Sequence, residues 1–253
     1  MQPLFFIHGH PLLLFNKNNL FHIKVMNLHE IYLGLLTGIQ NLSWAETLAV
    51  VFSIISVLFA RANKVWLYPA GIAGILFSIY IFIGAEYKLY PDAALNLYYL
   101  IMSIYGWYFW LKKPPGKNRV PEKKQSGETP VTWCNKKEYL TASLIFIVLW
   151  GILYWWLDTY RINNVPLMDS FTSAMASTGM WLLAKRKVEN WMAFIIADGV
   201  DILVFFVKHL ILFCVLNIFY VIIAILGYMA WKKLYQERMK NSPHKVRKPL
   251  FEK

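Results

Sequence analysis

Two Asn–Tyr pairs with identical spacing are the first candidates for chemistry in this sequence. Each pair is followed at the same intervals by a glycine, a tryptophan and a lysine: Asn96, Tyr99, Gly106, Trp110 and Lys112 match Asn217, Tyr220, Gly227, Trp231 and Lys233. An amide offers hydrogen-bond donors and an acceptor to hydroxyl groups, and a tyrosine ring can stack on a flat heterocycle. The pairs predict a binding site; the alternative is hydrogen bonding between helices.

Two carboxylates lie inside another apolar run. They belong to a helical stripe made of Trp191, Phe194, Asp198, Asp201 and Phe205. A charged side chain in the middle of a membrane costs roughly 2.5–3.5 kcal/mol on insertion scales, so a carboxylate there should face a cavity or a partner. The alternative is a structural bond to a neighbouring helix or subunit. Ser103 extends the face of Asn96, and Trp181 lies on a further helical stripe with three serines.

The elements that position these residues are apolar runs. The chain is 58% hydrophobic and 16% charged, whereas soluble domains carry roughly 25% charged residues. Runs of about 20 residues, long enough to cross a hydrocarbon core, recur along it. They predict an all-α membrane protein with seven transmembrane helices: Trp44–Ala60, Val65–Gly84, Ala93–Leu111, Tyr139–Leu157, Ser170–Ala184, Asn190–Val207 and Leu210–Trp231.

Charged residues predict the topology. Basic residues cluster in Lys112–Lys137, at Lys185–Lys187, at Arg61 and Lys64 and in the tail from Lys232 to Lys253. Seven crossings place all of these clusters on one side, and the positive-inside rule makes that side the cytoplasm. We expect a multi-pass protein of the inner membrane, embedded in lipid, with a periplasmic N-terminus and a cytoplasmic C-terminus. The net charge of +12 then needs no nucleic acid as a partner.

The repeated motifs predict two three-helix repeats, which Glu46 and Asp169 open. A single helix between them inverts the chain, so the repeats are parallel in a 3+1+3 arrangement, as in one class of transporter. The predicted units are an N-terminal interfacial segment (1–43), the first repeat (44–111), a basic cytoplasmic linker (112–138), the inverting helix (139–158), the second repeat (169–231) and a basic cytoplasmic tail (232–253).

The register of the repeats can also be predicted upstream of the Asn–Tyr pairs. Leu58-Phe59-Ala60-Arg61 before Trp66 resembles Leu182-Leu183-Ala184-Lys185 before Trp191, with an offset of one residue. That match places Ala73 and Leu76 opposite Asp198 and Asp201.

Four features resemble a known family: Trp66-Leu-Tyr-Pro-Ala-Gly71, Met102-Ser-x-Tyr-Gly-Trp107, Asp169 and Glu189-Asn-Trp-x6-Ala-Asp198. With them, the chain from Trp44 to Lys233 resembles the bacterial PnuC nicotinamide riboside transporters. The resemblance implies a SWEET-like bundle that assembles as a homotrimer. It implies facilitated diffusion of nicotinamide riboside without a cofactor, and a separate cytoplasmic nicotinamide riboside kinase that traps the product. Relatives carry thiamine or riboflavin, so those vitamins, and sugars, stay open as cargo.

With this cargo the candidate substrate-binding residues are Asn96, Tyr99, Ser103, Trp181, Trp191, Asp198, Asp201, Asn217 and Tyr220. The carboxylates suit the positive pyridinium, and aromatic rings suit its flat face. Pro69 and Gly71 are the candidate hinge. No catalytic or metal-ligating residue is predicted. A rival hypothesis is an intramembrane enzyme or a sensor that uses Asp198 and Asp201 as an acid pair. An aspartyl enzyme, however, needs its two carboxylates on facing helices, and these are three residues apart on one helix.

Overall fold

The computed structural model of the protein describes residues 27–83, 90–112, 130–160 and 165–241. This part of the chain forms eight α-helices: α1 Leu28–Gln40, α2 Trp44–Arg61, α3 Leu67–Ile83, α4 Tyr90–Leu111, α5 Lys136–Thr159, α6 Pro166–Ala184, α7 Asn190–Val207 and α8 Ile211–Asn241. Helices α2 to α8 overlap the seven predicted spans, which confirms that the fold is all-helical. Helix α8 continues to Asn241, well past the span end predicted at Trp231.

The helices differ in how apolar they are. Within the described residues, α2, α5 and α8 are long and apolar enough to cross a membrane, and α3 is a shorter apolar helix. Helices α4, α6 and α7 carry polar residues that the fold buries, among them Asn96, Ser177 and Asp198. Large apolar side chains such as Ile147 and Leu203 are exposed on the outside of the bundle, as lipid contact requires.

Six of the helices form a closed ring. Each contacts the next in the order α2, α3, α4, α6, α7 and α8, and α8 returns to α2. Helix α5 packs outside the ring against α6, and α1 packs against α8. Gly34 and Gly38 of α1 face Ile211 and Leu212 of α8. The ring therefore has two halves, α2–α4 and α6–α8, which meet at two seams: α4 with α6, and α2 with α8.

Three helices end in the same way. Asn63, Arg186 and His209 follow α2, α6 and α7 with left-handed backbone, at φ 53°, 54° and 56°. In each case the amide of the next residue donates to a carbonyl in the last turn of the helix, at 2.9–3.0 Å: Lys64 to Phe59, Lys187 to Leu182 and Leu210 to Phe205. This is the Schellman arrangement, which satisfies the last carbonyls of a helix and reverses the chain.

Two tryptophans join the halves across the seams. The Nε1 of Trp110 donates to the carbonyl of Leu183 at 3.2 Å, and that of Trp231 donates to the carbonyl of Ala60 at 3.0 Å. Because these bonds are equivalent, Ala60 and Leu183 occupy the same place in the two halves. The two hydrogen bonds also bring the last turns of α2, α4 and α6 to one end of the ring.

The two ends of the ring differ in charge. Helices α2 and α6 finish at the end that carries Arg61, Lys64 and Lys185–Lys187, which we call the basic end. Helices α2, α4 and α6 begin at the opposite end, which we call the acidic end, with Glu46, Asp92 and Asp169 in their first turns.

The observed register corrects the predicted one. The equivalence of Ala60 with Leu183 places Ile75 and Ser78, rather than Ala73 and Leu76, opposite Asp198 and Asp201. Because the α2–α3 and α6–α7 turns share one hydrogen-bond pattern, they have the same length and no residue is inserted. Tyr68 rather than Trp66 is the counterpart of Trp191: Tyr68 packs on Gly106 and Trp191 packs on Gly227.

Replacing Gly227 by alanine is expected to destabilise the protein. A Cβ there would lie 2.6 Å from Cη2 of Trp191, whose ring is buried and has no room to retreat. Overpacking of this kind costs about 1–3 kcal/mol. The matched control is Gly151→Ala, because a Cβ at Gly151 meets nothing within 4 Å and gains about 1 kcal/mol of helix propensity. Thermal unfolding in detergent should rank Gly151→Ala at or above the wild type and Gly227→Ala below it; the reverse order would contradict the packing.

Candidate functional site

Buried polar side chains from both halves face the inside of the ring. We call this set the polar layer: Asn96, Tyr99 and Ser103 from α4, Ser177 from α6, Asp198 and Asp201 from α7, and Asn217 and Tyr220 from α8. All of these residues are buried. Seven of the nine predicted site residues belong to this layer.

The polar layer has two levels. Asn96 and Asn217 each lie six residues into their helix, about 9 Å from its start, and Asp201 lies six residues before the end of α7. Tyr99, Tyr220 and Asp198 lie about one helical turn deeper. The repeated motif, together with the carboxylates of α7, therefore produces an amide level nearer the acidic end and a tyrosine level below it.

The two asparagines make the same hydrogen bond. The Nδ2 of Asn96 donates to the carbonyl of Asp92 at 2.9 Å, and that of Asn217 donates to the carbonyl of Phe213 at 2.9 Å. The bond fixes the orientation of each amide. The Oδ1 of Asn96 is buried and has no hydrogen-bond partner, so it can accept a hydrogen bond from a hydroxyl group of a ligand.

The tyrosines occupy different environments. The hydroxyl of Tyr99 accepts a hydrogen bond from Oγ of Ser177 at 3.5 Å, which joins α4 to α6. The hydroxyl of Tyr220 and the Oγ of Ser103 are buried without a partner. Since an unmade hydrogen bond in a core costs about 1–3 kcal/mol, such groups need a reason. A polar ligand between the halves supplies one.

Asp198 and Asp201 have separate surroundings. Asp201 of α7 lies within electrostatic range of Asp169 of α6 and of Lys208, so it faces the α6–α7 contact. Asp198 lies close enough to Tyr99 and Tyr220 to interact with both electrostatically. An acidic side chain thus reaches the tyrosine level between the two halves, while the first half has Ile75 and Ser78 in the equivalent places.

A second group of charges lies at the acidic end, and its cation, Lys208, is not among the site residues predicted from the sequence. Lys208 caps α7, and its Nζ contacts both carboxylate oxygens of Asp169, at 3.1 and 2.8 Å. Asp92 of α4 is buried and interacts electrostatically with both residues. Glu46, the counterpart of Asp169, caps its own helix instead by accepting from the amide of Ser43 at 2.7 Å.

Aromatic rings close the basic end of the ring. Trp110 and Trp231 have ring centroids 6.0 Å apart, Trp191 lies 5.6 Å from Trp231, and Tyr68 lies 5.3 Å from Trp110. The guanidinium of Arg186 stacks on Trp110 at 3.9 Å. We call these five residues the aromatic layer. Trp191, predicted as a site residue, belongs to this layer rather than to the polar layer.

The remaining predicted residues lie apart from the polar layer. Trp181 is partly buried and stacks with Lys185 at 4.6 Å, at the basic end. Pro69 lies in the first turn of α3, where proline removes no helical hydrogen bond and causes no kink. Gly71 is buried in the same helix. A substrate contact by Trp181 and a hinge at Pro69 and Gly71 stay predictions.

Residues 131–135 form a strap across the turn between α6 and α7. The amide of Thr132 donates to the carbonyl of Arg186 at 3.1 Å, and the amide of Val188 donates back to Thr132 at 3.0 Å. One oxygen of Glu189 accepts from the amide of Cys134 at 2.7 Å and from the hydroxyl of Tyr139 at 2.6 Å. The strap ties the start of α5 to the basic end.

The strap predicts a protected thiol. Burial raises the pKa of the Cys134 thiol, and the Glu189 carboxylate raises it further, so the unreactive protonated form persists at neutral pH. In a Cys214→Ser background we expect slow reaction with N-ethylmaleimide. Glu189→Ala removes the acceptor and the charge, and losing a charged hydrogen bond of about 1.5–3 kcal/mol should speed alkylation by at least about tenfold. Equal rates in the two proteins would show that Glu189 does not hold the strap.

A family model described as "Nicotinamide mononucleotide transporter" matches residues 43–233, which include α2 to α7, the part of α8 up to Lys233, and the polar layer. The chain belongs to this family. It is therefore an integral inner-membrane transport protein, and the buried polar layer lies within the matched region.

Relatives of the transporter have divergent sequences. The nicotinamide riboside transporter PnuC of Escherichia coli (strain K12) is 21% identical, over 79% of this chain and 90% of that one. The PnuC of Neisseria mucosa is 22% identical over 76% and 73%, and the riboflavin/roseoflavin transporter RibM of Streptomyces davaonensis is 22% identical over 64% and 72%. The crystal structure of the vitamin B3 transporter PnuC has the same fold, with a TM-score of 0.59, 21% identity and coverage of 87% and 94%.

Proposed function

We propose that this transporter carries nicotinamide riboside across the inner membrane by facilitated diffusion with alternating access. Relatives from Escherichia coli and Neisseria mucosa bear the name nicotinamide riboside transporter, and the family model covers the ring up to Lys233 in α8. The observation that carries the proposal is the polar layer between the halves, in which Asn96, Ser103 and Tyr220 keep buried polar atoms without protein partners beside Asp198.

The chemistry of the polar layer suits a ribosylated pyridinium. The amide oxygen of Asn96 accepts from a ribose hydroxyl, and Tyr220 and Ser103 offer two further hydroxyl groups. Asp198 balances the positive ring, and Tyr99 and Tyr220 present aromatic faces at the same level. Asn217 and Asp201 complete the site on the second half. Trp191, a member of the aromatic layer, closes the site on the side of the basic end. Trp181 is the candidate that lies farthest from the polar layer.

The riboside fits better than the mononucleotide that the family description names. A phosphate carries close to two negative charges at neutral pH, and the polar layer offers Asp198 and Asp201 but contains no lysine or arginine. The cations at the other end of the ring, Arg186 and Lys187, are held by Trp110 and Glu138. Like charges in a site of low dielectric repel strongly. We therefore infer that the cargo is unphosphorylated.

The transport architecture that we propose is SWEET-like. Helices α2–α4 and α6–α8 are taken as parallel repeats, with α5 as the inverting helix of a 3+1+3 bundle and the cargo between the repeats. The crossed bonds of Trp110 and Trp231 support equivalent halves. The basic end is placed in the cytoplasm by the positive-inside rule, with the N-terminus periplasmic. A homotrimer and a cytoplasmic kinase that phosphorylates the product belong to the same proposal.

The main alternative cargo is riboflavin, because RibM is among the relatives, and thiamine and sugars are further candidates. Riboflavin is uncharged and has three fused rings, so it brings no positive charge to a carboxylate at the tyrosine level, which could only accept hydrogen bonds from its hydroxyl and N–H groups. A catalytic role for Asp198 and Asp201 is disfavoured because both lie on α7 and have different neighbours.

Ligand-dependent stabilisation of the purified protein tests the choice between nicotinamide riboside and the alternative cargoes. A ligand at 100 times its Kd stabilises a protein by about 2.7 kcal/mol, which is readily seen in thermal unfolding. Nicotinamide riboside should raise the unfolding temperature, whereas nicotinamide mononucleotide, riboflavin, thiamine and glucose should leave it unchanged. A shift with riboflavin and none with nicotinamide riboside would transfer the proposal to the alternative cargo.

A further inference from the structure

We propose that Asp92, Asp169, Asp201 and Lys208 form a charge-selective entry to the polar layer, in which the Lys208 ammonium occupies the place that a cationic cargo takes as it enters. This inference rests on the proposed function, which it deepens. It assigns the preference for a positively charged nucleoside to a group of residues above the site, in addition to Asp198 within it.

The ion pair at the acidic end of the ring joins Lys208 and Asp169. Lys208 contacts both oxygens of Asp169, and the Asp169 side chain is only 2% exposed, whereas that of Lys208 is 19% exposed. The long lysine side chain starts at the end of α7, immediately after the helix. The ammonium therefore lies between the outside and a buried carboxylate, where an arriving cation would meet the same oxygens.

Carboxylates from three helices lie within electrostatic range of this ammonium, and that of Asp169 contacts it directly. Asp92 of α4 and Asp201 of α7 both interact electrostatically with Asp169 of α6 and with Lys208. Asp92 belongs to the first half of the ring and the other residues belong to the second half. The group therefore crosses the seam between α4 and α6.

The carboxylates continue inward to the polar layer. Asp201 lies about 9 Å before the end of α7, and Asp198 lies about one turn deeper. Asp198 is within electrostatic range of Tyr220, a residue that is 3% exposed and whose hydroxyl has no hydrogen-bond partner. At the level of Asp201, the fully buried Oδ1 of Asn96 also has no partner, and the Nδ2 of the same amide donates to the carbonyl of Asp92.

The row of carboxylates that runs from Asp92 and Asp169 through Asp201 to Asp198 suits an organic cation. Buried charges are tolerated when a counter-charge accompanies them, and a mobile cation can serve this purpose in turn at each carboxylate. Within the described residues there is no group of three or more His, Cys, Asp or Glu side chains that could hold a metal ion. A flat, diffuse cation such as a pyridinium needs no such coordination. At the opposite end the aromatic layer holds Arg186, so the field along the ring runs from negative to positive.

The test compares two forms of one cargo in proteoliposomes. Nicotinamide riboside carries a positive ring, and its reduced dihydro form has nearly the same shape without that charge. We expect the wild-type protein to take up the cationic form at least about tenfold faster, a difference of about 1.4 kcal/mol. Asp92→Asn should lower this ratio at least fivefold, while uptake of the neutral form continues. Lys208→Gln should raise the ratio, and Lys208→Arg should preserve it.

The matched control is Glu46→Gln. Glu46 is the counterpart of Asp169 at the same end, but it caps its own helix, so its variant should keep the ratio within twofold of wild type. Equal uptake of both forms by the wild type would overturn the entry and leave the proposed function standing. The same change in ratio for Glu46→Gln as for Asp92→Asn would also overturn it, since any negative charge would then serve. Failure to take up either form would overturn the proposed function together with the entry.

Discussion

Replacing both Asn96 and Asn217 by alanine should reduce uptake of nicotinamide riboside by at least about 30-fold. Each asparagine is fixed by its own helix carbonyl, so the two amides are presented to the cargo at one level without a cost in side-chain entropy. Losing one hydrogen bond with a buried partner left unpaired costs about 1–3 kcal/mol. Two such losses give the expected factor, and each single variant should lie between the wild type and the double variant.

A control of the same kind is Ser53→Ala. Ser53 is buried and donates to a carbonyl four residues back, at Ala49, as the asparagines do, but it faces Gly74 within the first half. Its variant should keep nearly normal uptake in proteoliposomes. If the Asn96→Ala/Asn217→Ala double variant takes up as much nicotinamide riboside as Ser53→Ala does, the asparagines do not bind the cargo.

Trp231→Ala should cause the largest loss of stability, about 3–5 kcal/mol. Trp231 is fully buried, bonds the carbonyl of Ala60 across the α2–α8 seam and packs against Trp110 and Trp191. Its removal leaves a large cavity in the aromatic layer and takes away one of the two crossed bonds. Thermal unfolding in detergent, or loss of the monodisperse peak on heating, measures the effect.

Trp155→Ala provides the comparison, because Trp155 is 64% exposed on the outside of α5 and its removal creates no cavity. We expect little change in unfolding temperature for that variant. Trp231→Phe, which keeps most of the ring but not the donor, should lose only about 0.5–1.5 kcal/mol. A Trp231→Ala protein as stable as Trp155→Ala would contradict the role of the aromatic layer in joining the halves.

The sequence was informative where spacing follows a helix. The match of Asn96 and Tyr99 with Asn217 and Tyr220 predicted equivalent positions, and the structure gives both asparagines the same bond. Apolar length predicted the helices to within a few residues at most ends. These features depend on periodicity and residue type inside one element, which a sequence records directly.

Features that depend on the closure of the ring were harder to predict. The register of Tyr68 against Trp191 is set by two turns of equal geometry, whereas the identities of Trp66 and Trp191 suggested a false match. Lys208 was missed because a lysine beside the end of an apolar run is ordinarily exposed, and its partner Asp169 lies on another helix. The contact between them exists only once α6 and α7 pack together.

The most direct test of the account is uptake of labelled nicotinamide riboside by proteoliposomes that contain the purified protein, without ATP or an ion gradient. We expect saturable uptake that ends when the internal concentration equals the external one. Excess unlabelled nicotinamide riboside should block this uptake, whereas excess nicotinamide mononucleotide should not. Uptake no greater than that of protein-free liposomes, or competition by the mononucleotide as strong as by the riboside, would contradict it.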